Sequence, residues 1–365
     1  MPPPCPTWIE INLSAIEDNT RLIAEKVKVP LLAVVKDDGY GHGALETGQA
    51  FLRAGGTWLA VVRCAEGYEL RQNGILAPIL VFGGAVPDEM EDAIGQDLTL
   101  PLYSFECAEM IAARAVAAGK KALVHLKIDT GMGRYGVFPE ETLALARRAL
   151  ELGWIKIDGL FSHFALAGDD AAFSALQIRR FKEALASLQQ NNISPRWVHL
   201  ANSSGIVHEP DSYFNLVRAG GILYGLGSDR DALSAPLRRP FSWKARLMDC
   251  KAYPADWGIG YMHDYKTRQG EVVGVVPVGH GDGYRRVPGT FVLIDGQRVP
   301  VVGRICMDQL MISLPKRYPI GQEVVLVGSQ GSQSIHPEEL RNTWKSTYSG
   351  VTLVHPRVPR VYLRD

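Results

Sequence analysis

Leu31-Leu32-Ala33-Val34-Val35-Lys36-Asp37-Asp38-Gly39-Tyr40-Gly41-His42-Gly43 is an apolar run that stops at a lysine and opens into a polar, glycine-studded turn. Leu31 to Val35 has the length and β-branched content of a buried strand. Lys36 therefore stands at a strand's carboxyl end, where a loop begins. In α/β barrels that rim collects catalytic side chains. An amine backed by apolar walls is a candidate nucleophile, although a lone lysine at a strand end more often only reaches out to solvent.

Working outward, the same beat of strand and helix recurs. Trp8 to Leu13 alternates like a strand, and Ser14 with Glu17 makes a capping box for a helix to about Val27. After Leu31–Val35, strand-like runs follow at 58–62, 78–82, 98–103, 122–128, 155–164, 197–202 and around 216–217, with helical stretches between them. Short connections and strict alternation indicate parallel βα units. Counted from Leu31 there are eight strands, the number that closes a barrel. Near 228–240 the beat stops in a polar, proline-bearing stretch, SDRDALSAPLRRP. Beyond it come strand-like runs at 243–253, 272–278, 290–294, 299–311 and 324–327, an Asp295-Gly296 turn, and one short helix from Pro337. The expected fold is α/β: an N-terminal (β/α)8 TIM-like barrel over 1–235 and a C-terminal mostly-β domain over 236–365.

Composition narrows the function. In 365 residues, Lys+Arg and Asp+Glu balance at 39 each, so no charge excess favours nucleic acid or an acidic membrane. Five widely spaced cysteines without a CxxC pair point to reduced thiols in a cytoplasmic setting, with neither a disulfide frame nor a metal site. No signal peptide and no apolar run of about 18 residues is visible.

Other strand ends carry chemistry too. Lys127, Asp129 and Arg134 cluster in LKIDTGMGR, and His163 follows a strand in SHF. A lone histidine there is more often a satisfied core residue. Ser203 and Ser204 open a helix after Ala201-Asn202, and Arg218 precedes Gly220-Gly221. Phosphate sites of such barrels are often built by the loops after strands 7 and 8, where Ser203 and Gly220–Gly221 lie. A phosphate beside an activated lysine points to pyridoxal phosphate, with other phosphate-using barrels still open.

AVVKDDGYGHG, HLKIDTGMGRYG, LFSHFA, LANSSG, VRAGGILYGL, GIGYMHDY, GDGYRR, VVGRICMDQ and RVPRVY together resemble the alanine racemases, fold-type III pyridoxal-phosphate enzymes, in the family's order along nearly the whole chain. The resemblance implies two-base racemisation of L- and D-alanine, supplying D-alanine for peptidoglycan, by a homodimer with shared active sites. It implies that Lys36 is the Schiff-base lysine and one base. Tyr261, from the second domain of the partner subunit, is implied as the opposite base, with protonated His163 or Arg218 as candidate helpers. By the same resemblance, Arg218 meets the pyridine nitrogen and His163 lies beside the ring. Tyr40, Ser203, Gly220 and Gly221 take the phosphate. Arg134 supports the cofactor's phenolic oxygen and the substrate carboxylate, and Lys127, carbamylated in many members, orients Arg134. Met307 and Asp308 reach into the partner's site, the Met307 N–H near the substrate carboxylate.

Three departures stand out. Asp37-Asp38-Gly39 replaces the usual Ala-Asn-Ala, His280 replaces a tyrosine, and Pro356, after His355, replaces a tyrosine that meets the phosphate and narrows the pocket. They keep open a racemase for serine or another amino acid with a wider pocket. A non-catalytic pyridoxal-phosphate carrier is the other alternative. Such carriers are single-domain barrels, which the second domain with Tyr261 and Met307–Asp308 argues against.

Overall fold

A computed structural model of the chain describes residues 5–227, 233, 236–285, 289–339 and 349–365. The chain forms two compact units, one of residues 16–39 and 44–238, the other of residues 1–15, 40–43 and 239–365.

The first unit holds eight parallel strands: β2 (Leu31–Val34), β3 (Trp58–Val61), β4 (Ile79–Val81), β5 (Leu98–Leu102), β6 (Ala122–Lys127), β7 (Ile155–Phe161), β8 (Trp197–His199) and β9 (Val217–Ala219). They pair in the order β8-β7-β6-β5-β4-β3-β2-β9. Outside the ladder, Asn215 N–H donates to Val198 O (3.3 Å) and Arg218 N–H to Ala201 O (3.1 Å). Those bonds draw β9 to β8 and leave a nearly closed barrel. LLAV and WLAV are buried at every position, because a strand with helices outside and a filled interior has no wet face. The ring of Trp58, from β3, packs 5.2 Å from that of His125, from β6, so both point into the barrel. The strand expected to 164 ends at Phe161, freeing Ser162, His163 and Phe164 from the ladder.

The second unit takes in the first strand together with the later ones. β1 (Thr7–Asn12) lies in the sheet of the mostly-β unit, antiparallel to β10 (Phe241–Arg246) and parallel to β20 (Arg360–Leu363). The alternation of Trp8 to Leu13 shows that a strand has a buried face, but not which distant strand covers it. The following helix, Leu13–Val27, is capped by Asn12 Oδ1, which accepts the Ala15 N–H at 3.0 Å. Ser14, expected as the cap, instead accepts the Asp365 N–H through Oγ.

The rest of this unit contains β11 (Asp249–Ala252), β12 (Gly258–Ile259), β13 (Tyr265–Lys266), β14 (Val272–Val276), β15 (Phe291–Ile294), β16 (Gln297–Val302), β17 (Leu310–Leu314), β18 (Glu323–Gln330) and β19 (Gln333–Ile335). The main sheet runs β11-β14-β17-β16-β15-β18-β10-β1-β20. Asp295 and Gly296 have φ of +53° and +69°, the pair of left-handed residues that a two-residue hairpin turn demands. The run expected at 243–253 divides into β10 and β11. That at 299–311 divides into β16 and β17 around the loop that carries Met307 and Asp308. Gly303, at φ +67°, begins the break. Most of the helix expected from Pro337 lies outside the described residues. All five cysteines are free. Among the described residues, no helix is long and apolar enough to cross a membrane.

Candidate active site

The lysine that ends the first barrel strand is followed by an unusual backbone. Asp37, Asp38, Gly39 and Tyr40 have φ of +53°, +53°, +59° and +56°, one turn of left-handed helix where the sequence suggests an ordinary glycine turn. Such a turn costs most L-residues about 1–2 kcal/mol each, and Asp, Asn and Gly tolerate it best. Asp38 Oδ1 accepts the Ala44 N–H (3.0 Å), and the Gly39 N–H donates to Val35 O (2.8 Å). The Asp37 N–H donates to Glu66 Oε1 (2.5 Å), while Glu66 Oε2 takes the N–H groups of Val62 and Arg63. Glu66 therefore ties the loop after β2 to the loop after β3. Nothing in the sequence marks it beyond an acid in a helix's first turn. Lys36 is a third exposed, with Nζ 3.5 Å from Asp37 Oδ2.

Deeper in the barrel, Arg218 is 2 % exposed. One terminal nitrogen of its guanidinium donates to His199 O (3.1 Å) and His199 Nδ1 (3.0 Å). The other donates to Ser162 O (2.8 Å) and Leu200 O (2.9 Å), and lies 3.3 Å from His163 Nδ1. The four terminal hydrogens are thus accounted for, and Nε–H is the donor left over. Burial, with the nearby charge of Arg134, lowers Arg218 to about 9, so it remains a cation at neutral pH. Because Arg218 donates to His199 Nδ1, the His199 proton sits on Nε2, 2.9 Å from His125 Nδ1. Sequence reasoning missed both histidines. One signal was present: His125 and Lys127 are two apart in one strand and so share its inward face.

Lys127 is 5 % exposed, with Nζ 4.9 Å from the centre of the Phe161 ring. Burial, then Arg218 and Arg134, hold its amine well below the usual range. His163 is also held well below its ordinary value, by burial first and then by Arg218, Lys127, Arg134 and Lys36. It is neutral, which corrects the expectation of a protonated His163. Arg218, Lys127, Arg134 and Lys36 therefore all lie within electrostatic reach of His163. Neither Lys127 nor Arg218 makes an ion pair among the described residues. A buried cation such as Arg218 without a carboxylate partner is expensive, so the arrangement suits an acceptor-bearing group.

Ser203 opens the short helix Ser203–His208, and its Oγ accepts the Gly220 N–H (3.2 Å). The loops after β8 and β9 are thereby joined, with Gly220 and Gly221 buried and Tyr40 partly buried. Arg134 is exposed. In the mostly-β unit, Tyr261 and Met307 are 67 % and 68 % exposed, and Asp308 is exposed beside Met307. The Met307 loop is pinned by His280 N–H to Cys306 O (3.1 Å) and Gly281 N–H to Met307 O (2.7 Å). Within that unit Asp282 ties its turn to the chain end, its Oδ1 accepting Arg357 Nε–H at 2.8 Å. His355 and Pro356 precede that arginine and are exposed.

Comparison with known proteins fits this geometry. Residues 11–228 match the N-terminal domain of alanine racemase and residues 240–362 its C-terminal domain. An alanine racemase of Halalkalibacterium halodurans is 39 % identical over 98 % of this chain and 95 % of its own length. One of Symbiobacterium thermophilum is 38 % identical over 98 % and 97 %. A solved alanine racemase of Clostridium difficile 630 superposes with a TM-score of 0.94 at 36 % identity, covering 99 % of this chain and 97 % of its own. One from Bacillus anthracis with bound L-Ala-P also reaches 0.94, at 34 % identity, covering 100 % and 97 %. The chain belongs to the alanine racemase family, whose members are pyridoxal-phosphate-dependent enzymes.

Proposed function

We propose that this protein interconverts L- and D-alanine by a two-base mechanism in a cytoplasmic homodimer and supplies D-alanine for peptidoglycan. The observation that carries the reading is Arg218: a buried cation with no carboxylate partner among the described residues, and with its Nε–H left over. That donor fits a ring nitrogen that accepts a hydrogen bond and is never protonated. Lys36 would hold the cofactor's aldehyde carbon, and Tyr40, Ser203, Gly220 and Gly221 its phosphate. When bound, the cofactor supplies the electron sink that makes the Cα proton acidic.

The remaining work belongs to side chains. Arg134 orients the substrate carboxylate, helped by the Met307 N–H of a second copy. Lys127 steadies Arg134, and Asp308 supports the Met307 loop. One proton must leave one face of Cα and another return on the opposite face. A single base would favour retention, so two groups are needed. Lys36 Nζ serves one face, and the Tyr261 phenol, brought by a second copy, serves the other.

Purified protein loaded with pyridoxal phosphate should abolish the optical rotation of an L-alanine solution. Cofactor binding without loss of rotation would leave only a carrier. Pro356 and His280, in place of the family's tyrosines, favour a second reading in which the chemistry is unchanged and the pocket is wider. A panel of L-amino acids read by chiral chromatography, with serine turned over faster than alanine, would establish that reading instead.

A further inference from the structure

We propose that Asp129 is a positioning residue whose carboxylate sets the loop that presents Arg134 to the substrate carboxylate. The inference rests on the reading of Arg134 given under the proposed function. Asp129 follows the end of β6. Its Oδ1 accepts the N–H groups of Gly131 (2.9 Å), Met132 (2.8 Å) and Gly133 (3.2 Å), and its Oδ2 accepts that of Arg134 (3.0 Å). Four consecutive amides converge on one carboxylate, and the last is Arg134's own. Turning successive N–H groups toward one point needs backbone that L-residues avoid. Gly131 and Gly133 provide it, at φ of +139° and +68°.

The base of the loop is held separately. Asp129 N–H donates to Val137 O (2.9 Å) and Val137 N–H to Lys127 O (3.2 Å). A Cβ on Gly136 would stand 2.6 Å from Asp129 N. Behind the loop, Arg180 donates to Thr130 O (2.9 Å), and Gln177 Nε2 donates to both Thr130 Oγ1 and His163 O (3.1 Å each). The root is therefore rigid, while Arg134 is exposed and its aim depends on its backbone. Only an acceptor with two equivalent oxygens serves all four amides. An asparagine would turn an NH2 group either on Arg134 N–H or on the other three. Burial works against the charge on Asp129, but the four amide bonds outweigh it and hold the carboxyl below the usual range.

The test uses the cofactor-loaded enzyme. Asp129→Asn should raise KM for L-alanine about tenfold while kcat changes less than about threefold. The affinity for propionate, a carboxylate with no amino group to react, should fall in the same proportion by calorimetry. Melting temperature should fall by no more than a few degrees, and cofactor absorbance should stay at the wild-type value. In an Arg134→Ala background, Asp129→Asn should add nothing. Should Asp129→Asn not accumulate as folded holoenzyme, Asp129→Ser, which keeps one acceptor oxygen, takes its place in the same measurements. Unchanged KM and propionate affinity, or an undiminished effect in the Arg134→Ala background, would overturn the inference. An Arg134→Ala enzyme with wild-type KM would instead overturn the reading of Arg134 and take this inference with it.

Discussion

Burying Arg218 commits the barrel to a charge whose five N–H donors must find acceptors. Its planar fork reaches His199 O, His199 Nδ1, Ser162 O and Leu200 O together, which a lysine's single nitrogen cannot do. Arg218→Lys is therefore expected to lower kcat/KM about a hundredfold and the melting temperature by a few degrees. Steady-state kinetics and thermal melting check both.

The three histidines beneath the site give a pH signature. His125 is lowered to about 3, by burial and then Arg218, and His163 and His199 are held well below their ordinary value. In the unfolded chain they bind a proton near pH 6.5, so below that pH the unfolded state holds more protons. Stability should thus fall as pH drops through 6.5 toward 5, by up to about 1.4 kcal/mol per pH unit for each histidine. Above pH 7 the histidines should add no further slope, and the rise that remains belongs to Lys127, whose amine is held well below its usual range. Denaturant midpoints across pH 5–8 test this, and a flat line would mean that these rings are charged when folded. At Tyr261, replacement by Phe should stop exchange of the Cα hydrogen of L-alanine into deuterated water far more than that of D-alanine. Equal losses would contradict the assignment of faces.

Among the elements, the left-handed turn after Lys36 shows where sequence patterns run out. The apolar run, the lysine at its end and the glycines around Tyr40 were readable, because a buried strand has a composition. The handedness of the turn was not. Asp37 and Asp38 read as charges near a cofactor, whereas the backbone uses them as residues that tolerate positive φ. Replacing Asp38 by Ala should cost about 1–2 kcal/mol, combining left-handed strain with loss of the acceptor for Ala44 N–H. Asp38→Asn should cost little. Thermal denaturation of the two variants separates this backbone role from an electrostatic one, which would make Asn as harmful as Ala. The helix from Ala171 to Gln190 falls in the helical stretch expected between the strand-like runs at 155–164 and 197–202, because amphipathic periodicity and capping are local. Glu66, His125 and His199 were not. Each acts through partners brought close only by neighbouring strands or across the barrel.

For the whole molecule, the proposed sharing of the site between two copies is the decisive issue. Mixing Lys36→Ala subunits with Tyr261→Phe subunits under exchange should restore about a quarter of wild-type activity, since half the dimers then carry one intact site. No recovery, with exchange verified, would place lysine and phenol on the same chain.

By itself the sequence determined the eight βα units, the strand-rich second half and the order of the site motifs. Hydrophobic period, turn chemistry and strand-end position are local properties written in adjacent residues. Tertiary structure alone decided that the first strand joins the second unit's sheet, that His163 is neutral and that Asp129 gathers four amides. Strand partnership, desolvation and convergence on one carboxylate depend on what the fold brings near, and no window of neighbouring residues contains that.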